Sequence, residues 1–165
     1  MRDVFEVSVS EAGDTVKVGE ALGMVLPAGS VVALSGELGA GKTVLTKGIA
    51  KGLGIEEEPV SPTYVIMNAY PGKTPLYHFD LYRVSSAQEL EGIGYEEFVY
   101  GDGVCVVEWA ERMRDAFPED AVEVEIEMTG GNGGPRGRNM RSRGKKDWLS
   151  LFKSTVERVF PASKK

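Results

Sequence analysis

GELGAGKTVLTKG, residues 36–48, decides how this chain reads. Its first eight residues hold two glycines separated by four positions, then a lysine and a hydroxyl residue, the pattern of a phosphate-binding loop. A loop that wraps a polyphosphate turns backbone N–H groups inward, and glycine takes those dihedrals without a Cβ clash. Gly36, Gly39 and Gly41 supply that freedom, with Ala40 between them and Val44 just beyond. Lys42 can reach the outer phosphates as a point charge, and the Thr43 hydroxyl can take one position on a magnesium ion. The pattern thus implies ATP or a related nucleotide with Mg2+.

A phosphate loop works only between a buried strand and a helix whose N-terminus faces the anion. Residues 30–35, SVVALS, form a short apolar run of the kind that lies in a sheet covered on both faces. From Lys42 to about residue 53, Leu45, Ile49 and Leu53 recur four apart, with Gly52 and Gly54 as terminators. The competing reading, a glycine-rich turn before an ordinary helix, is outweighed by the complete pattern between two fitting flanks.

The chain has 165 residues, 42% hydrophobic and 27% charged, which describes one soluble globular domain. No stretch approaches the roughly 20 apolar residues of a membrane span. The N-terminal MRDVFEVSVS lacks the cationic-then-apolar layout of an export signal, and a lone cysteine forms no internal disulfide, so the cytoplasm is the expected location. The net charge of −6 hides an asymmetry: residues 1–129 carry 9 basic and 23 acidic side chains (−14), residues 130–165 carry 10 and 2 (+8). An acidic body argues against broad nucleic-acid binding by the main fold, whereas the basic tail can contact RNA, an acidic partner or the body itself.

Outward from the loop, residues 5–9 alternate as a strand, and Ser10 stands where an N-cap would open a helix over 11–26. Residues 64–70 and 75–81 read as strands of a hairpin joined by Pro71-Gly72-Lys73. Ser85 would cap a short helix to about Leu90. Residues 103–107 form a second strongly apolar strand, 110–117 a short helix stopped by Pro118, and 122–128 an alternating strand. Residues 130–146, GGNGGPRGRNMRSRGKK, read as a flexible basic linker. Beyond it Trp148, Phe152, Val156 and Val159 recur at helical spacing, as in an amphipathic helix docking on the body or on a partner.

A phosphate loop needs a further carboxylate near the metal, usually at the end of another core strand. Glu108, closing the strand VCVVE, fits that place; it would equally suit the start of the next helix. Ser61-Pro62-Thr63-Tyr64 follows the loop helix, where a threonine can sense the γ-phosphate, or simply forms a rigid turn. In His78-Phe79-Asp80-Leu81-Tyr82-Arg83, alternation puts His78, Asp80 and Tyr82 on one face, where Asp80 can orient a water or a metal; a salt-bridged edge strand is the plainer alternative. Cys105, inside an apolar strand, reads as a small core residue. Trp109 stacks near a nucleotide or fills core.

Together GELGAGKT (36–43), SPTY (61–64), HFDLYR (78–83), ELEGIG (89–94) and VEW (107–109) resemble the bacterial TsaE family, formerly YjeE, over roughly residues 10–129. The resemblance implies an α/β, phosphate-loop NTPase-like, doubly wound fold, its sheet mostly parallel with an antiparallel hairpin and helices on both faces. It implies ATP and Mg2+, and slow ATP hydrolysis that resets a complex with TsaB and TsaD during threonylcarbamoyl transfer to adenosine 37 of tRNA, with tRNA met only through that complex. By the same resemblance Lys42 and Thr43 meet the phosphates and metal, Glu108 the metal, and Asp80 and Thr63 the γ-phosphate region, with Lys42, Asp80 and Glu108 as the catalytic set. Thr15 and a tail arginine, taken as Arg138 over Arg136 and Arg141, fall at further nucleotide contacts. Val44 and Lys47 depart from the family's threonine and arginine, and the tail past Met128 is longer and more basic.

The expected organisation is an ATPase domain over 1–129, with 130–165 a basic linker and C-terminal helix attached to it. A small-molecule or nucleoside kinase is the alternative, residues 136–143 imitating an arginine-rich lid, although such lids sit between core strands and this run follows the last predicted one. A GTPase is disfavoured by the absence of an Asn-Lys-x-Asp motif. A nucleotide-gated adaptor overlaps with the family reading.

Overall fold

The apolar run ahead of the phosphate loop becomes strand β2 (Val31–Ser35), buried along nearly its whole length, and the sheet grows from it in both directions. The structure, a computed structural model, describes residues 3–62, 64–130 and 137–160. Seven strands lie in the order β1-β7-β6-β2-β5-β4-β3, where β1 is Asp3–Val9, β3 Met67–Tyr70, β4 Leu76–Asp80, β5 Val104–Glu108, β6 Val122–Thr129 and β7 Gly137–Gly144. The pairs β6–β2, β2–β5 and β5–β4 are parallel, whereas β1–β7, β7–β6 and β3–β4 are antiparallel. Five strands therefore point one way and only β3 and β7 oppose them. The sheet is mostly parallel, as expected.

Helices α1 (Ala12–Val25), α2 (Lys42–Gly52) and α5 (Lys146–Val159) cover one face. The other carries α3 (Ala87–Gly92), α4 (Tyr95–Val99) and two 3₁₀ turns, Ala110–Arg112 and Arg114–Ala116. Alternation divides the strands cleanly. Val32, Leu34, Val104 and Val106 join the core under α1 and α2, while Val31, Cys105 and Val107 join that under α3 and α4.

Several local expectations shift. The N-cap of α1 is Glu11 rather than Ser10, without a side-chain cap bond. The expected 64–70 strand starts only at Met67, because residues 64 and 65 turn on hydrogen bonds from the Val65 and Ile66 N–H groups to Pro62 O, and Ile66 takes φ 70. Ser86 caps α3 by accepting from Glu89 N–H (3.3 Å), while the Ser85 hydroxyl instead meets the Glu89 carboxylate at 2.5 Å. The helix expected over 110–117 is broken into the two 3₁₀ turns by the extended φ of −143 at Met113.

The largest correction concerns the basic segment. Residues 137–144 are not linker and not lid: they form β7, hydrogen-bonded inside the sheet between β1 and β6. Arg141 and Arg143 lie opposite Glu125 and Glu123 of β6, and such opposite-charge cross-strand pairs stabilise a strand that carries few apolar residues. On the reverse face Met140 and Ser142 are fully buried. Residues 131–136, including Arg136, lie outside the described residues. Helix α5 then docks through Leu149, Phe152 and Val156, with Phe152 edge-on to Phe5 of β1 at 5.5 Å. Among the described residues no helix is long and apolar enough to cross a membrane.

Candidate nucleotide site

Parallel pairing brings the C-terminal ends of β2, β5 and β4 to one edge, with Leu34 beside Glu108 and Glu108 beside Asp80. The crevice outside such strand ends is where open α/β sheets bind ligands. Here the phosphate loop leaves β2. Gly41 takes φ 112 as the N-cap of α2, so the first amides of that helix remain free to meet an anion. Gly36 takes φ 148, and a Cβ there would stand 2.5 Å from Ile126 O, a contact no larger residue accepts.

Lys42 opens α2 and is buried. Its Nζ donates to Gly36 O (2.5 Å) and Glu37 O (3.1 Å) and lies 3.8 Å from the Trp109 ring centroid, a cation–π contact. Burial lowers its pKa from the ordinary lysine value, against the opposing pull of Glu111, Glu108 and Asp80. Thr43 Oγ1 donates to the Glu108 carboxylate at 3.0 and 3.2 Å. On its other side Glu108 takes a hydrogen bond from His78 Nε2. Asp80 accepts from Tyr82 N–H (2.9 Å) and from the Ser61 hydroxyl (3.2 Å).

These groups line one cavity of about 370 Å³, in which Gly39, Gly41, Lys42, Thr43, Val44, Asp80 and Glu108 converge with Leu38, Ser61, Tyr82 and Trp109. A smaller cavity of about 140 Å³ adjoins it, lined by Thr15, Gly39, Gly41, Val44 and Arg138. Arg138 grips the loop from outside, its Nε donating to Ala40 O (2.6 Å) and its Nη2 to Gly39 O (3.2 Å). Thr15 is brought there by the close approach of α1 and α2. A Cβ on Gly19 would lie 2.4 Å from Leu45 O, and one on Gly48 2.2 Å from Val16 O. A slightly larger cavity, about 390 Å³, lies beside the two 3₁₀ turns on the opposite sheet face, among Glu111, Arg114, Glu123, Glu125, Arg141 and Arg143. It contains none of the loop's phosphate-facing residues.

The donor set fits magnesium. A hydroxyl and a carboxylate meet at Thr43 and Glu108, hard oxygen donors of the kind Mg2+ takes in ones and twos beside phosphate and water. Among the described residues no cluster of three or more His, Cys, Asp or Glu is arranged to enclose a metal alone.

The structure thus gathers Gly39, Gly41, Lys42, Thr43, Val44, Asp80 and Glu108 in one cavity, and Thr15 and Arg138 in its neighbour, whereas Gly36 and Ala40 line neither. Thr63 lies outside the described residues. Leu38, Ser61 and Tyr82 also face the cavity, and Glu111 accepts from Gly36 N–H at 3.1 Å. Ser61 and Tyr82 stood within motifs already singled out, but nothing in the letters of Leu38 or Glu111 pointed to the loop.

A strand, a glycine-rich loop, a helix and acids at the neighbouring strand ends define a protein with a phosphate-loop NTPase-like fold. The family model described as threonylcarbamoyl adenosine biosynthesis protein TsaE matches residues 9–138. The chain belongs to that family. It is 47% identical over 117 residues to the tRNA threonylcarbamoyladenosine biosynthesis protein TsaE of Treponema pallidum, covering 71% of this chain and 87% of that one. Its identity to the protein of the same name from Bacillus subtilis is 45% over 103 residues, 62% of this chain and 64% of that one. The crystal structure of Bacillus subtilis YdiB superposes with a TM-score of 0.75 at 28% identity, over 96% of this chain and 97% of that one.

Proposed function

We propose that this chain binds ATP with magnesium and hydrolyses it slowly as the nucleotide-dependent component of tRNA threonylcarbamoyladenosine synthesis. In this reading it acts in the cytoplasm with TsaB- and TsaD-like partners, resets their complex between turnovers, and meets tRNA only through them. The observation that carries it is the convergence of Lys42, Thr43, Asp80 and Glu108 in one cavity at the mouth of the phosphate loop.

Each residue has a chemical task there. Lys42 would leave its loop carbonyls to neutralise the outer phosphate oxygens. Thr43 and Glu108 would hold the metal, which when bound offsets charge on the phosphates and helps align them. Asp80, oriented by Tyr82 N–H and the Ser61 hydroxyl, would place the attacking water or a metal-bound one. The free amides of α2 and the grip of Arg138 on Gly39 and Ala40 would keep the loop shaped for the anion.

Turnover of ATP by the purified chain, alone and with the two partner proteins, tests the reading. Capture from lysate with ATP, ADP or no nucleotide should retain those partners in a nucleotide-dependent way, and turnover should rise in their presence. Equal capture in all three states, with no turnover above background, would reject it.

A further inference from the structure

His78, the sole histidine of the chain, is fully buried on β4. Its Nε2 donates to Glu108, and its Nδ1 has no partner among the described residues. A buried imidazole used only to fill space loses hydrogen bonds to water that an apolar side chain of like volume never had. Among the described residues the one hydrogen bond of its imidazole goes to the carboxylate that also accepts from Thr43. The register explains how: Asp80 lies opposite Glu108, and His78, two residues earlier on the same face, is its diagonal neighbour.

We infer that His78 is a positioning residue for the magnesium site: by donating from Nε2 it holds the Glu108 carboxylate in the rotamer that faces Thr43 and the metal. This rests on the reading of Glu108 as a metal-directed group. A carboxylate only accepts, so the proton of this bond sits on Nε2. Without that donor Glu108 is free to turn and to move its charge off the Thr43 hydroxyl. Partners that orient a ligating group typically account for ten- to a hundredfold in metal affinity.

The test is the affinity of the full chain for ADP, measured with chelator and across a magnesium titration, for the parent and for His78→Gln, His78→Asn, His78→Met and Glu108→Gln. Glutamine offers an N–H near the place of Nε2, asparagine only near that of Nδ1, and methionine fills volume without a donor. The free magnesium giving half of the maximal gain in ADP affinity should rise about ten- to a hundredfold in His78→Asn and His78→Met and stay near the parent value in His78→Gln. Affinity in chelator should match the parent in the three His78 variants, which a general loss of structure would not allow. Either His78→Asn or His78→Met, folded, with the parent's magnesium dependence would overturn the inference, as would equal losses in the glutamine and asparagine variants. If Glu108→Gln itself keeps the parent's magnesium dependence, the metal reading of Glu108 fails and this inference with it; if only that variant responds, the positioning role alone is lost.

Discussion

Lys42 shows how a buried charged side chain is held ready at the loop: its ammonium donates to two loop carbonyls and the Trp109 ring lies beside it. Its hydrogen bonds go to loop carbonyls outside the core, so Lys42→Ala should weaken magnesium-ATP binding about ten- to a hundredfold, the equivalent of one charge-assisted hydrogen bond, with melting little changed. Isothermal titration beside a thermal melt measures both. Glu108→Gln keeps the shape but not the charge, so ATP turnover should fall further than nucleotide affinity. At the same scale Cys105 is the small core residue that its apolar strand implies. It is fully buried, its thiol donates to Phe98 O at 3.0 Å, and burial pushes its pKa up to about 12. At pH 8 the folded protein should resist a maleimide that labels the unfolded chain within minutes, because the thiolate is the reactive form. The sign of the linkage follows: the unfolded thiol ionises first, so this contribution to stability is intact below its ordinary 9.0 and declines as pH rises towards about 12.

The element that most constrains the site is the pair α1–α2, whose backbones touch through Gly19, Gly23, Gly48 and Gly52. At Gly48 an added methyl would lie 2.2 Å from Val16 O and 2.8 Å from the Gly19 Cα, backbone that has no room to give. Gly48→Ala should therefore cost about 1–3 kcal/mol or more, as overpacking does, and lower the melting temperature by several degrees. It should also move Thr15 away from Gly41 and Val44, so nucleotide affinity should drop although residue 48 is remote from the ligand. Scanning calorimetry with and without ADP separates the two effects. None of this was visible beforehand, since a glycine four residues from another reads as a weak helix former until the facing helix is known. The strand β7 was missed for a related reason. Its partners neutralise its arginines, and that pairing exists only once β6 lies alongside.

For the molecule as a whole, the acidic body and basic tail prove to be two parts of one sheet. Deleting residues after Gly130 would remove the strand joining β1 to β6 and the α5 cover over Phe5. The truncated chain should lose cooperative melting altogether, not merely melt earlier, and circular dichroism through a thermal ramp reads this directly. The ion pair Arg141–Glu6, by contrast, is half exposed at 41% and 48%, so Glu6→Gln should cost under about 1 kcal/mol and less in high salt.

What the sequence determined by itself was whatever depends on neighbours along the chain. The phosphate loop, its flanking strand and helix, the VCVVE strand ending in Glu108, the hairpin and the amphipathic α5 all follow from local spacing, because dihedral freedom and apolar periodicity are properties of a short segment. Tertiary structure alone decided which side chains meet: His78 with Glu108, Arg138 with the loop carbonyls, Glu111 with Gly36, and the arginines of β7 with the glutamates of β6. Those contacts join residues from 30 to 99 positions apart in the bonded cases, and their partners are set by strand order and register, which no local pattern encodes.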